Sequence, residues 1–558
     1  MIWNIKFTIK AETNQERRQE IIKNILKNRG FTTKKQIRAF LSPPKPTSLT
    51  LKQLDINSNQ FRLAISRIKK AIKNKEQIII YGDYDADGIC ATALLWETLY
   101  LLGAKVVPFI PSRDKHGYGI SISGIEDILK GQIPGTDLQI KKPDLIITVD
   151  NGLVAHEAAK FIKKNKIDLI ITDHHTPPKK LPSALALIHT TQLSGSGVAW
   201  ILACELSKSK PALAKNTLDL ATIGTVADLV PLTGANRSLV KWGLKSLQKT
   251  KRVGLQTLFK HAAIDPHELA PHHISFIIAP RLNAMGRLKH ALDSVRILVT
   301  NKKLRANQLA LTLSQTNLER QNLTNQLLKQ AKSLVTKPKN QKLLIIDHQD
   351  FHEGVIGLIA GKLVEEYSRP SIVICRGKTI SKASARSISG INIIETIRTV
   401  ESLLINAGGH PMAAGFTIQS SKIKDFKKAI INHANEFITD DMLQPILSID
   451  CQISIKDLSW LLYKQLQKLS PFGIGNPRPT FAIKNTNLIN KMTVGKNKAH
   501  LKLLLPSTLK NQTTISALWF KRGDVVDNIQ DTTSIAATID ENTWNGKSEL
   551  QLKIKDLQ

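Results

Sequence analysis

The chain has 558 residues, enough for three or four domains of roughly 150 residues each and for more than one hydrophobic core. Its 79 lysines and arginines against 45 aspartates and glutamates leave a formal net charge of +34, while 42% of the residues are hydrophobic. That balance excludes a single small module and a disordered chain, and the positive field suits a polyanionic partner, nucleic acid foremost, although a general lysine bias would also raise the charge.

From about residue 77 short apolar runs alternate with helical stretches. Gln77 to Ile80 is followed by a turn with Gly82 and Gly88, a helix over Ile89 to Leu102 and a second run at Lys105 to Ile110. The grammar repeats at Asp144 to Val149, Val154 to Lys164, Ile167 to Thr172 and Ala184 to Ile188, and predicts a doubly wound α/β domain around a parallel sheet. Asp293 to about Val335 has no Gly or Pro and spaces its leucines helically, which predicts a long connecting helix broken near Asn301. A smaller α/β lobe follows, with runs at Lys342 to Asp347 and Ser371 to Cys375, a helix over Gly354 to Tyr367 and a glycine-rich segment, Ala407 to Gly415. Beyond Phe472-Gly-Ile-Gly-Asn-Pro477, short runs at His500 to Leu505, Ile515 to Phe520, Ser534 to Ile539 and Glu549 to Ile554 predict a small oligonucleotide-binding-like β-barrel. No run of 18 apolar residues occurs, and Met1 to Ala11 lacks the apolar core of a secretory signal, so a cytoplasmic protein without a membrane span is expected. Cys90, Cys204, Cys375 and Cys451 form no C-x-x-C pair; a metal, if bound, would be held by oxygen and imidazole.

Chemistry concentrates in Tyr81-Gly-Asp-Tyr-Asp-Ala-Asp-Gly88, where Asp83, Asp85 and Asp87 alternate directly after a buried run. In an extended loop such carboxylates project the same way and surround a divalent cation. An EF-hand is excluded because position 12, counted from Asp83, is Leu94; a merely solvated acidic turn is the bland alternative. Two further run ends carry the same chemistry, Val149-Asp150-Asn-Gly152 and Thr172-Asp173-His174-His175, and Asp228 interrupts the apolar stretch Leu220 to Leu232. In an open α/β sheet the carboxyl ends of the strands form the ligand crevice, so these groups should meet. Asp85, Asp87, Asp150, Asp228 and a histidine supply enough ligands for two cations about 3.5–4 Å apart, with Mn²⁺ suited well and Mg²⁺ tolerably.

Asp83-Tyr-Asp-Ala-Asp-Gly88, Asp150-Asn-Gly152, Asp173-His-His175 and Gly224-Thr-Val-Ala-Asp228 resemble, in order, the signature motifs of the DHH phosphoesterase superfamily. Pro111-Ser-Arg-Asp-Lys-His-Gly-Tyr-Gly119, Pro280-Arg-Leu-Asn-Ala-Met-Gly-Arg287, Gly354-Val-Ile-Gly357, Ser384-Ala-Arg-Ser387, Gly408-Gly-His410 and Phe472 to Pro477 extend the likeness from about residue 40 to the end, within the branch of bacterial single-strand-specific 5′→3′ DNA exonucleases. One departure is the short loop His189 to Gly197, which touches no expected ligand and leaves His189 a structural residue.

The resemblance implies an N-terminal helical extension packed on the catalytic core (1–70), a DHH catalytic domain (71–290), a connecting helix (291–337), a DHHA1 substrate-binding domain (338–440) and an OB-like nucleic-acid-binding domain (441–558). It implies two divalent cations, Mn²⁺ or Mg²⁺, on Asp83, Asp85, Asp87, Asp150, His174 and Asp228, with His175 orienting a phosphate or a ligand. Ser384, Arg386, Gly409 and His410 would grip the terminal nucleotide or its 5′ phosphate, and Arg113, Arg281 and Arg287 would contact the backbone. The implied enzyme is a metal-dependent exodeoxyribonuclease of recombination and repair, a monomer acting on single-stranded DNA, with a helicase and a single-strand-binding protein as candidate partners. A phosphoesterase of short oligonucleotides or small phosphates and a catalytically silent DNA-binding scaffold are the alternatives; the complete carboxylate set speaks against the scaffold.

Overall fold

The computed structural model describes residues 1–509, 512–544 and 546–558, and these divide into two compact units. The larger comprises Trp3–Asn283, Ala291–Leu311 and Leu447–Gln558; the smaller is chiefly Thr312–Ile446, with Ala284–His290.

In the larger unit, five parallel strands, β1 (Gln77–Tyr81), β2 (Lys105–Phe109), β3 (Leu145–Val149), β4 (Asp168–Asp173) and β5 (Ala186–His189), lie in the order β2-β1-β3-β4-β5. Isoleucine and valine fill β1 and β3 because both sheet faces are covered, as the doubly wound prediction requires. The chain runs outward from β1 to β2 and returns to β3, so the order reverses between β1 and β3. A crevice opens at the carboxyl ends of strands at such a reversal, and there the chain places Asp83 after β1 and Asp150 after β3.

Three helices, α1 (Ala86–Leu101), α2 (Gly195–Leu206) and α3 (Leu218–Ala227), pack on one another behind that crevice. All three are apolar nearly all round, the mark of helices buried on every side. The predicted connecting helix is two helices, Leu292–Val299 and Lys303–Leu334, parted at Thr300–Lys302 as expected near Asn301.

The smaller unit carries β6 (Leu344–His348), α4 (Ile356–Tyr367), β7 (Ser371–Cys375), β8 (Ile380–Arg386), β9 (Leu404–His410) and β10 (Ala413–Gln419). The sheet order is β9-β10-β8-β7-β6, with β9 at the edge.

The C-terminal sheet, part of the larger unit, has seven strands in the order β11 (Cys451–Ile453), β12 (Phe481–Asn487), β16 (Thr532–Trp544), β17 (Lys547–Leu557), β15 (Thr514–Trp519), β14 (His500–Pro506) and β13 (Asn490–Val494). Its core corrects one expectation. Residues 1–70 are not a single extension of the catalytic core: Ile21, Ile25, Leu26 and Phe40, on helices Asn14–Asn28 and Lys34–Leu41, are buried in the C-terminal sheet's core beside Cys451, Phe481, Leu503 and Ile515. Arg17 fixes this with two bonds to Asp457, 2.6 and 2.7 Å long. Only the later helix, Ser58–Lys73, packs on the parallel sheet, against β5, with Gln60 Oε1 accepting from Leu187 N at 3.0 Å. Amphipathic spacing tells that a helix has a buried face and not which partner covers it.

The C-terminal sheet is also anchored to the parallel-sheet domain. Arg237, fully buried, donates to the carbonyls of Phe40, Leu469, Ser470 and Pro471 and stacks on the Phe40 ring at 3.7 Å. A buried cation is tolerated because four carbonyls receive its donors. No helix among the described residues is long and apolar enough to cross a membrane.

Candidate active site

The first carboxylates are placed by a helix start rather than by the extended loop expected. Asp85 is the N-cap of α1, its Oδ1 accepting from Asp87 N at 2.9 Å and Gly88 N at 3.0 Å, so Asp87 lies in the first helical turn. Asp87 turns toward α2, where Oδ2 accepts from Gly195 N (2.7 Å) and Oδ1 from Ser196 N (3.0 Å); the amino end of that helix favours negative charge. Asp150 has a left-handed φ of 65°, a conformation aspartate and asparagine tolerate better than most residues. Asn151 braces the turn, donating to Val149 O at 2.9 Å, and Thr148 Oγ1 donates to Asn151 O at 2.7 Å. Glycines are required at Gly195, where a Cβ would overlap the Asp150 carboxylate, and at Gly224, where it would overlap Asp87 and Ser196.

These groups converge. Asp83, Asp85 and Asp150 form one cluster of oxygen donors, Asp87, His174 and Asp228 a second, and each set of ligand atoms lies within 4.8 Å of one another. His174 Nε2 joins the two, 3.1 Å from Asp150 Oδ1 and 3.5 Å from Asp228 Oδ2. All of Asp83, Asp87 and Asp150 are buried. Burial first, and neighbouring carboxylates second, push Asp87 up to about 6, Asp83 to about 8 and Asp228 to about 9, and Asp150 well above its ordinary value. Asp150 Oδ1 and Asp228 Oδ2 are buried oxygens that accept no hydrogen bond from the protein. Crowded anionic oxygens left unsatisfied in this way fit divalent cations, whose charge and coordination would relieve both penalties. Hard oxygens with one imidazole match Mn²⁺ and Mg²⁺.

His175 is held differently. Its Nδ1 is 2.7 Å from Asp173 Oδ1 and its Nε2 is 3.2 Å from the Tyr118 hydroxyl. Burial alone would lower its pKa, but the bond and charge of Asp173 raise it above the usual histidine value. Asp173 also accepts from the amides of His174, His175 and Leu153, which fixes the Asp-His-His turn as a unit. His189 Nε2 lies 2.8 Å from His175 O, and the loop His189 to Gly197, expected to touch no ligand, does touch one: its Gly195 and Ser196 amides hold Asp87, because the loop ends at the start of α2. Arg113 stacks over the Tyr84 ring at 4.1 Å, and its charge reaches Asp83. Arg281 donates to Ile277 O at 2.8 Å.

Ser384, Arg386, Gly409 and His410 gather on the smaller unit. In register across three strands, Arg386 faces Ala413, which faces His410, and Ser384 faces Gly415, which faces Gly408. Small residues on the middle strand leave a flat floor with the polar groups at its ends. Arg386 donates to Ser384 Oγ at 3.1 Å, and both crowd Gly357 in the first turn of α4. Arg287 reaches the approach to the same helix, donating to Gly354 O at 2.9 Å. Two guanidinium groups and a hydroxyl thus lie near one helix amino end, groups of the kind that bind phosphate elsewhere. Gly409 has φ 146°, and a Cβ there would strike the Ala413–Ala414 backbone.

Three family models match the chain: the DHH family, N-terminal domain, over residues 77–225, the DHHA1 domain over 340–436, and the RecJ OB domain over 449–556. The single-stranded-DNA-specific exonuclease RecJ of Bacillus subtilis is 34% identical over 98% of this chain and 69% of its own length. The chain belongs to the RecJ family. RecJ of Thermus thermophilus is 31% identical over 95% of the chain and 74% of its own length. The crystal structures of T. thermophilus RecJ with Mn²⁺ and with Mg²⁺ superpose with TM-scores of 0.81 and 0.77, at 28% and 26% identity; both cover all of this chain and 79% and 78% of theirs.

Beyond the DHH motifs of this RecJ-family chain, groups outside the expected site position it: Asp173, Tyr118, and the Gly195 and Ser196 amides that hold Asp87. The Asp173-His-His turn and the Ser194-Gly-Ser-Gly197 helix start were visible signals for the first and third. Nothing in the spacing marks Tyr118, which meets His175 only through the fold.

Proposed function

We propose that the chain is a cation-dependent exonuclease that hydrolyses single-stranded DNA from the 5′ end, releases 5′-mononucleotides and serves recombination and repair. The observation that carries this is the convergence of five carboxylates with His174 at the switch point of the sheet. The single-strand specificity of the named relatives and the Mn²⁺ and Mg²⁺ of the T. thermophilus structures support it.

Asp83, Asp85 and Asp150 would hold one divalent cation and Asp87, His174 and Asp228 a second. Divalent cations so held would acidify an attacking water and offset the charge that develops on the scissile phosphate and the leaving 3′ oxygen. The protein's part is to fix the donors: Asp85 by its cap, Asp87 by two amides, Asp150 by a braced turn. His175, held by its Nδ1 bond to Asp173, orients a phosphate oxygen, and Arg113 and Arg281 hold the strand's backbone.

Hydrolysis at such a centre is indifferent to strand direction, so polarity needs a pocket for an end. Ser384, Arg386, Gly409 and His410, with Arg287, are assigned the 5′-terminal nucleotide and its phosphate. A guanidinium pairs with phosphate through two parallel bonds that an ammonium cannot reproduce. Arg386→Lys should lower kcat/KM on 5′-phosphorylated strands by about ten- to a hundredfold, the worth of one charge-assisted bond at roughly 1.5–3 kcal/mol, and change 5′-hydroxyl strands much less. Steady-state kinetics on the two substrates decide this; an unchanged preference removes the assignment.

A further inference from the structure

One turn of π-helix, Ile274–Ile278, separates the short helix Pro271–His273 from Ala279–Leu288. A π-turn inserts a residue and rotates the side chains it carries, and such turns cluster at functional sites. Here Ile274 and Ile278 are fully buried, while Phe276 between them is 70% exposed. Solvating a phenyl ring forgoes the gain of burying it, on a turn whose two anchors are held in the core.

The surroundings say what the ring faces. The turn packs against α3, the helix capped by Asp228. His272, one turn back, lies 4.8 Å from Phe276 between centroids, tilted at 34°, so one face of the phenyl ring is propped and the other opens to solvent. Arg478 and Lys553, from the C-terminal sheet domain, lie close enough to act on His272. Both pair with the Asp540 carboxylate and keep further N–H donors to offer a phosphate. Leu229, directly after Asp228, is exposed and has a left-handed φ of 61°, and the exposed Ile474 lies on the loop whose carbonyl accepts from Leu232 N at 2.8 Å. Isolated apolar groups bordered by cations, without a broad apolar patch, match a single strand of nucleic acid rather than a protein surface.

We propose that Phe276 is a stacking step for a base of the single strand, between the metal centre and the C-terminal sheet, with Arg478 and Lys553 taking the adjoining phosphates. The proposal rests on the single-strand reading above and adds a residue to it. Stacking on a ring tolerates any base, so the step adds hold without sequence preference.

The test uses the full chain. Phe276→Ala should weaken binding of a long oligothymidylate, measured in EDTA, by about 5- to 100-fold, raise KM for that strand in Mn²⁺ by a similar factor, and leave kcat on a trinucleotide unchanged. Phe276→Trp should keep the affinity, and its added fluorescence should be quenched by the oligothymidylate. Unchanged affinity and KM in Phe276→Ala, or a Phe276→Trp signal that the strand does not alter, overturns the proposal. Docking of a protein partner at this ring would give that same DNA-silent result. Failure of the single-strand reading is distinguishable, because the unsubstituted chain would then bind no strand.

Discussion

Asp150→Asn is expected to abolish hydrolysis, by about a thousandfold or more, while binding of single-stranded DNA in EDTA stays within a few-fold. A divalent cation held with the help of Asp150 would supply several kcal/mol of transition-state stabilisation, and each 1.36 kcal/mol is a factor of about ten in rate. Asparagine is the informative choice. It tolerates the left-handed φ of 65° better than alanine and keeps the side chain's shape against Gly195, so the loss reports charge rather than a collapsed turn. The cation-free variant should melt at the same temperature as the parent or higher, because one of several mutually repelling carboxylates is gone. Single-turnover cleavage in saturating Mn²⁺ and a thermal melt in EDTA check the two halves.

The second large effect is a reversal of pH dependence by cations. Without a cation, Asp87 is raised to about 6, Asp83 to about 8 and Asp228 to about 9, against about 4 in an unfolded chain. Between these limits the folded protein binds more protons than the unfolded one, so its stability falls as pH rises from about 4 to about 9. Below about pH 4 both states are protonated, the pH dependence vanishes and the stability is at its highest with respect to these groups. The fall from pH 5 to pH 9 is on the order of several kcal/mol, limited by coupling among the carboxylates. A bound cation keeps the carboxylates ionised, so binding releases protons and affinity rises with pH across the same range. Melts in EDTA and in excess Mg²⁺ should therefore diverge from pH 6 to pH 9. Parallel curves would show that these carboxylates do not hold the cation.

Much of this was legible because strand and ligand chemistry are local. β1 and β3 announce themselves as isoleucine-rich runs, and a parallel α/β order dictates that the residues after them share a crevice. The smaller lobe's polar floor was legible as residue types, Ser384, Arg386 and Gly408-Gly-His410, but its geometry depends on the β8-β10-β9 register, which places Ala413 and Gly415 between them. What stayed hidden is non-local. Asp85 capping a helix was visible as a residue type, yet the extended-loop reading overlooked that a cap fixes Asp87 inside the helix. The helices carrying Ile21 and Phe40 join strands more than 400 residues away, a choice made by packing and by Arg237, not by spacing. The C-terminal strands were placed as short runs, but their order, with β16 and β17 in the middle, follows from long-range pairing. Phe276 carries no signal in the sequence; the π-turn sends it outward.

Removal of nucleotides from the 5′ end of single strands with the help of divalent cations is tested most directly by following the two strand ends separately. A single strand labelled on its 5′-terminal nucleotide, incubated with Mn²⁺, should yield labelled mononucleotide from the first turnovers, while a 3′ label should stay on strands until the last. EDTA, or pairing into a blunt duplex, should stop both. Early release of mononucleotide from the 3′ label, internal cuts with either label, or undiminished hydrolysis in EDTA would contradict it.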